Sequence, residues 1–350
     1  MTVEVWLRRW LASRLSLRAE TARSYGGHID DYLVPYLGQV LLAELNRSRV
    51  QAMFTQIAVA EGMTGRPVSA ATLHRIHATL RAALNEAVRV GLIPMNPAVG
   101  VELPSATRPR PMVWTPERVA AWRRDGTRPT VPVWTPTQTA AFLAFVREHR
   151  LYALFHLVAL TGLRRGEVCG LCWTDVNLDA GVLSVARQRC QTAGRVAVAP
   201  PKSRAGVREV ALDHTVVTAL RQHRYRQQIE RAVAGQPCVE SGYVFTFADG
   251  RALSPDRLTR IFAGVVRASG LPPVTIHGLR HGAATMALAA GAGLKTVQAM
   301  LGHSSIQVTA DIYSAVLPAT AHEAAENTAA LLFLLHGPGR KLARVAWRRG

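Results

Sequence analysis

The segment from Pro104 to Pro136 constrains the fold more than any other feature of this 350-residue chain. It is dense in proline and arginine, and proline lacks the backbone N–H that a helix interior or a central strand requires. No single core is expected to run through it, so the chain should divide there into two domains. Val-Trp-Thr-Pro occurs in it twice, beginning at Val113 and at Val133. In each copy the threonine can cap a helix whose first position is the proline. Gln138 completes a capping box with Thr135. Residues 105–136 therefore read as an extended basic linker carrying one short helix. Its arginines could wrap DNA or simply be solvated.

The two flanks carry different patterns. In 1–104 apolar residues recur at helical spacing: Val3, Leu7, Trp10 and Leu11, then Ala22, Tyr25, Ile29, Tyr32 and Leu33, with Pro35 expected to stop the second stripe. Asn46 can cap a third helix that turns Val50, Phe54 and Ile57 inward, and Ser69 a fourth running from Leu73 to Val88. Gly91, Pro94 and Pro97 end that helix. Residues 137–335 alternate instead. Helical stripes cover 137–149, 151–160, 213–233, 255–268, 281–290 and 294–301. Between them lie β-prone runs at Val182–Val185, Val196–Ala199, Val207–Leu212 and Tyr243–Phe247. The fold class expected is mostly α, with a small antiparallel β-sheet in the second domain. Residues 336–350 form a basic tail.

Charge narrows the partners. Lys and Arg number 42 against 23 Asp and Glu, a net +19, which favours a polyanion. Only Lys202, Lys295 and Lys341 are lysines. Arginine grips phosphate with two parallel N–H groups but does not release a proton, so each lysine invites a reason. The cysteines Cys169, Cys172, Cys190 and Cys238 make neither a disulfide framework nor a zinc pattern, which fits a reducing cytoplasm. No apolar run approaches the roughly 20 residues of a membrane span, and the N-terminus lacks a signal-peptide pattern.

Five short segments carry chemistry: Thr161-Gly162-Leu163-Arg164-Arg165-Gly166-Glu167, Pro201-Lys202-Ser203-Arg204, His277-Gly278-Leu279-Arg280-His281, Leu301-Gly302-His303-Ser304-Ser305 and Asp311-Ile312-Tyr313-Ser314. Each has a bland reading alone. Arg164 could pair with Glu167 one turn on. Lys202 could be solvated, His303 could be a capping or core histidine, and Tyr313 a half-buried aromatic. His277 and His281 share metal-ligand spacing, but Arg280 between them argues for an anion.

Together the five resemble the tyrosine recombinases, the family of phage-type integrases and chromosome-dimer resolvases. In order they look like that family's first arginine motif, hairpin lysine, His-x-x-Arg-His box, Gly-His box and nucleophilic tyrosine, over 137–318. The resemblance implies a helical core-type DNA-binding domain at 1–104 and an α+β catalytic domain at 137–335. It implies catalytic roles for Arg164, Lys202, His277, Arg280, His303 and Tyr313, supported by Glu167 and His281. Arg108, Arg110, Arg128 and Arg204 are expected to contact DNA. The implied activity is cleavage and rejoining of DNA through a 3′-phosphotyrosine, for integration or excision of a mobile element, with no metal or other cofactor. The implied partners are double-stranded DNA, a homotetramer on two recombination sites and an accessory directionality factor, in the cytoplasm at the nucleoid. Many members carry a further N-terminal domain for arm-type DNA sites. Here the core-type helices begin almost at Met1, so this member lacks that domain or the chain is a truncated product. A type IB topoisomerase uses similar chemistry with a different domain layout. A non-catalytic DNA-binding protein derived from an integrase is the alternative function.

The chemistry stands beside the resemblance. Attack of a hydroxyl on a phosphodiester gives a phosphorane with added charge, which the Arg164 and Arg280 forks can stabilise. A tyrosine phenol, with a pKa near ~10, is a poor nucleophile unless cations and a base such as His277 assist it. The leaving 5′ oxygen needs a proton, which lysine can supply and arginine cannot.

Overall fold

Asn46 and Ser69 show how local chemistry sets the helices of the first unit. The Asn46 side chain accepts the Arg49 amide at 3.0 Å and the Ser69 hydroxyl accepts the Thr72 amide at 3.2 Å. These caps start the last two of the α-helices found among the described residues of this unit: α1 (Val3–Ala12), α2 (Ala19–His28), α3 (Val34–Leu37), α4 (Arg47–Val59) and α5 (Ala70–Arg89). Gly91, at φ +75°, takes the left-handed turn beyond α5. The inward faces make one core, with Trp6, Leu7 and Trp10 of α1 against Ile76, Leu80 and Leu84 of α5. The Trp6 indole N–H donates to the Ala83 carbonyl at 3.0 Å. Pro35 does not stop the second stripe as expected. A π-helical turn over Ile29–Leu33 already breaks the ordinary ladder, so helical backbone continues through the proline into α3 without losing a bond to it.

The computed structural model describes residues 1–59, 67–106, 109–192, 194–233, 239–303, 305 and 329. Tyr313, Arg108, Cys238, Lys341, the Arg204 side chain and the basic tail lie outside them. The chain divides into two units, Met1–Arg108 and Pro109–Gly350.

The linker expectation for 105–136 is corrected from Pro109 onward. β1 (Pro111–Val113) pairs in parallel with β2 (Val131–Val133), and α6 (Pro116–Asp125) crosses between them. The two Val-Trp-Thr-Pro copies are thus two strand-to-helix corners. Trp114 and Trp134 are 0% and 2% exposed, and their indole N–H groups donate to the carbonyls of Pro273 and Pro272. Two large aromatic surfaces with paired polar tips are strong reasons to pack rather than to remain extended. Arg118, one of the arginines of this stretch, donates to the Val113 carbonyl.

Beyond β2 come α7 (Pro136–Phe145), α8 (Tyr152–Thr161), α9 (Arg165–Gly170), β3 (Val176–Asn177), β4 (Val182–Val185), β5 (Gln188–Thr192), β6 (Arg195–Ala199) and β7 (Arg208–Ala211). Among the described residues these are followed by α10 (His214–Val233), α11 (Pro255–Ala268), α12 (Ile276–Ala289) and α13 (Leu294–Leu301). Strands β3, β4 and β7 form an antiparallel sheet, and β5–β6 is a separate hairpin. The mostly helical class with small antiparallel sheets holds. Tyr243–Phe247 forms no strand; only isolated bridges join Tyr243 to Cys172 and Thr246 to Ala252. The core is aromatic, with the Phe142 and Phe262 rings against each other and each also against Trp134 and Phe155. Helix α12 starts at Ile276 rather than near 281, because Thr275 caps the Gly278 amide at 3.0 Å. The whole His-x-x-Arg-His segment is therefore helical.

Candidate active site

The C-terminal end of α13 gathers three arginines. Arg208 donates to the Met300 carbonyl at 2.7 Å, Arg280 to the Leu301 carbonyl at 2.7 Å, and Arg164 to the Gly302 carbonyl at 2.9 Å. Three successive carbonyls at the negative end of a helix make a natural seat for cations. Glycine makes both approaches possible. Gly162 ends α8 at φ +65°, and a Cβ there would lie 2.5 Å from Leu301; its carbonyl accepts from Arg280 at 2.6 Å. Gly302 turns the chain out of α13 at φ +66°, where a Cβ would meet the Ala205 carbonyl at 2.8 Å.

Glu167 balances the charge. Its side chain is 1% exposed; one oxygen accepts the Arg164 amide at 3.0 Å and the other the Arg164 guanidinium at 2.6 Å. Arg208 closes on it at 3.0 Å. Burial alone would raise the Glu167 carboxyl, but Arg208 and Arg164 outweigh it and hold the pKa below the ordinary range. The bland pairing of Arg164 with Glu167 thus occurs, and Arg164 reaches the α13 turn besides. Arg280 is 2% exposed; burial first, then Arg164, lowers its pKa to about 9, which leaves it charged at neutral pH.

Three histidines stand beside this group. His277 and His281, one turn apart on α12, meet edge-on with ring centroids 4.7 Å apart. His303 is buried at the α13 turn, its carbonyl accepting from Gln298. Burial, followed by neighbouring cations, lowers the pKa of His277. Burial and then His277 bring His281 to about 4; burial and then Arg280 bring His303 to about 3. All three are neutral at pH 7. A neutral imidazole can accept a proton at one nitrogen and donate a hydrogen bond from the other.

These shifts make stability depend on pH in a definite direction. In the unfolded chain the histidines titrate near ~6.5. Below that value the unfolded state binds protons that the folded state refuses until about pH 4 for His281 and about pH 3 for His303. Their contribution is complete above pH 6.5 and is lost as pH falls toward those values. The melting temperature is expected to drop between pH 7 and pH 4.5, and to drop less in His281→Gln and His303→Gln. Equal drops in the variants and the wild type would contradict the shifts.

The sequence-nominated residues divide. Arg164, Glu167, His277, Arg280, His281 and His303 come together around the ends of α8 and α13. Lys202 is exposed on the loop between β6 and β7, whose Ala205 carbonyl approaches Gly302. Arg110 and Arg128 are exposed at the start of the second unit. Arg208 was missed. It shares the inward-facing register of β7 with Val210, and an arginine on the inner side of a short alternating strand needs an acid partner. Cys169 is a buried thiol pushed up to about 12, and Cys172 accepts from Arg187 at 3.0 Å. Among the described residues, no His, Cys, Asp and Glu group is placed to hold a metal ion, and no helix is long and apolar enough to cross a membrane.

The sequence model of the phage integrase family matches residues 133–319. The tyrosine recombinase XerC-like protein of Caldanaerobacter subterraneus subsp. tengcongensis is 27% identical over 90% of this chain and 78% of its own. The integrase of Mycobacterium phage L5 is 29% identical over 87% of this chain and 73% of its own. Among solved structures, the Tn1549 transposon integrase in complex with transposon right end DNA superposes with a TM-score of 0.72 at 22% identity, over 94% of this chain and all of that one. A lambda integrase dimer bound to a core site gives 0.61 at 19% identity, over 99% of this chain and all of that one.

Proposed function

The chain belongs to the phage integrase family, and from that premise we propose that it is a site-specific recombinase acting through a 3′-phosphotyrosine at Tyr313. The observation that carries the catalytic reading is the convergence of Arg164 and Arg280 on adjacent carbonyls of one turn, with neutral His277 and His303 beside them. A guanidinium has five N–H groups. The bonds to Glu167, Gly162, Leu301 and Gly302 fix each fork and leave further N–H groups for the non-bridging oxygens of a phosphodiester. Fixed donors aimed at developing charge stabilise the phosphorane without reorganising.

In the forward step the Tyr313 hydroxyl oxygen bonds to phosphorus as the P–O5′ bond breaks. His277 takes the phenolic proton. Lys202 protonates the leaving 5′ oxygen, and His303 donates a hydrogen bond to a phosphate oxygen. The phosphotyrosine conserves the bond energy, so a second 5′-hydroxyl can reverse the attack on a new partner strand. Because that bond is conserved the exchange is expected to need no ATP, and because two guanidiniums supply the charge stabilisation it is expected to need no metal ion.

Double-stranded DNA is the proposed substrate, in keeping with the +19 charge and with integrase relatives solved on DNA. Arg108, Arg110, Arg128 and Arg204 are proposed to contact its backbone. A tetramer on two sites is proposed by analogy with the lambda integrase tetramer bound to a Holliday junction, together with an accessory directionality factor. The proposed domains are a helical DNA-binding domain before Pro109 and a catalytic domain after it.

Strand exchange between two duplexes bearing the attachment site, in EDTA and without nucleotide, tests the reading. Recombinant product is expected. Tight site binding without strand breakage would favour the non-catalytic alternative.

A further inference from the structure

Arg208 lies one short loop after Lys202, at the first residue of β7. Its side chain is 6% exposed, so it does not present its charge to solvent. Its guanidinium joins three segments. Nε donates to the Met300 carbonyl at 2.7 Å; one terminal nitrogen donates to the Gly206 carbonyl at 3.0 Å; both terminal nitrogens reach Glu167, at 3.3 and 3.0 Å. Met300 precedes the turn that carries His303, Gly206 belongs to the loop that carries Lys202, and Glu167 is the carboxylate that also holds Arg164.

A second contact ties the same loop to the same turn. The Ala205 carbonyl lies so close to Gly302 that a Cβ there would stand 2.8 Å from it. The loop also folds on itself, the Gly206 amide donating to the Ser203 carbonyl at 2.9 Å. Lys202 is exposed, so nothing about its own burial fixes where its ammonium sits. The backbone on which it is mounted is fixed, and Arg208 supplies its charged anchor.

A buried ion pair is a weak source of net stability, since apolar residues of similar volume often serve as well. What it supplies here is geometry, because three nitrogens held in one plane reach two carbonyls and both oxygens of a carboxylate at once. We propose that Arg208 is a positioning residue that sets the Lys202 loop against the Arg164–His303 site, so that the lysine reaches the leaving 5′ oxygen. This rests on the reading of Lys202 as the proton donor.

The test compares cleavage of two suicide duplexes, one with the natural 5′ oxygen at the scissile phosphate and one with sulfur there. Sulfur leaves as thiolate when the P–S bond breaks and needs no proton. Lys202→Ala is expected to lose about 100-fold on the oxygen substrate and to recover on the sulfur one. Arg208→Lys keeps the charge beside Glu167 but not the fork. It is expected to lose about 100-fold on oxygen, as a displacement of about 1 Å can cause, and to recover to within about tenfold of wild type on sulfur. Arg208→Gln keeps donors for the two carbonyls and takes its place if Arg208→Lys does not fold. Recovery on sulfur supports the proposal, because a purely structural loss would depress both substrates equally. Equal depression of both in a folded Arg208 variant, with Lys202→Ala rescued, overturns the proposal and leaves the recombinase reading standing. Failure of sulfur to rescue Lys202→Ala removes the lysine's role and the proposal with it.

Discussion

Tyr313→Phe is expected to bind its DNA site about as well as the wild type and to form no covalent adduct with it. The substitution removes one oxygen, and that oxygen is the atom proposed to bond to phosphorus. Tyr313 stands ten positions after His303, whose turn is fixed by the arginine cluster. The loss should be complete on a nicked suicide duplex, because a phenyl ring offers no lone pair for attack. The controls are site affinity and melting temperature, both expected within error of wild type. A Phe variant that still forms the adduct would remove Tyr313 from the reaction.

Arg280→Lys is expected to lower the cleavage rate about 1,000-fold, the upper range for removing a donor to a developing oxyanion. Lysine keeps the charge, so a purely electrostatic role would survive. The structure gives reason to expect otherwise. Arg280 is buried and bridges the Gly162 and Leu301 carbonyls at 2.6 and 2.7 Å, joining the end of α8 to the end of α13. An ammonium has three N–H groups on a single tetrahedral nitrogen, so it cannot reproduce bonds made from two separate nitrogens and also present a planar pair of donors to phosphate. A buried carbonyl left unpaired costs ~1–3 kcal/mol, so the melting temperature should fall as well. Arg164→Lys should cost less stability, since the Arg164 side chain is 32% exposed. Single-turnover cleavage and thermal melting on both variants check this. An Arg280→Lys enzyme within threefold of wild-type rate would show that the fork is dispensable.

What the sequence disclosed follows the range of the interactions involved. The caps at Asn46, Ser69 and Thr135 and the left-handed turn at Gly91 depend on residues within a few positions, and they were legible. The stripe of α5 was legible for the same reason. The Val-Trp-Thr-Pro repeat was seen, but its meaning was not. β1 meets β2 only across α6, and the two indoles find their carbonyls 159 and 138 positions away. Composition pointed to a linker because proline and arginine outnumber the two tryptophans that decide the packing.

The chemistry-bearing residues were legible as motifs because each sits in a short segment of unusual residue types. Their shared dependence on the end of α13 was not, since Arg164 reaches Gly302 across 138 positions and Arg280 reaches Gly162 across 118. Arg208 was hidden among 39 arginines. Its partners Glu167 and Met300 lie 41 and 92 positions away, and only its inward register on β7 could have singled it out.

The identity of the covalently bound residue is the most direct measurement. Wild-type protein is trapped on a nicked duplex carrying the site it selects from DNA flanking its gene. The adduct is then digested with protease and nuclease, and the nucleotide-bearing peptide is fragmented in a mass spectrometer. The expected result is a 3′-linked phosphate on the Tyr313 hydroxyl oxygen. A phosphate on any other residue, a 5′ linkage, or tight binding with no adduct at all would contradict it.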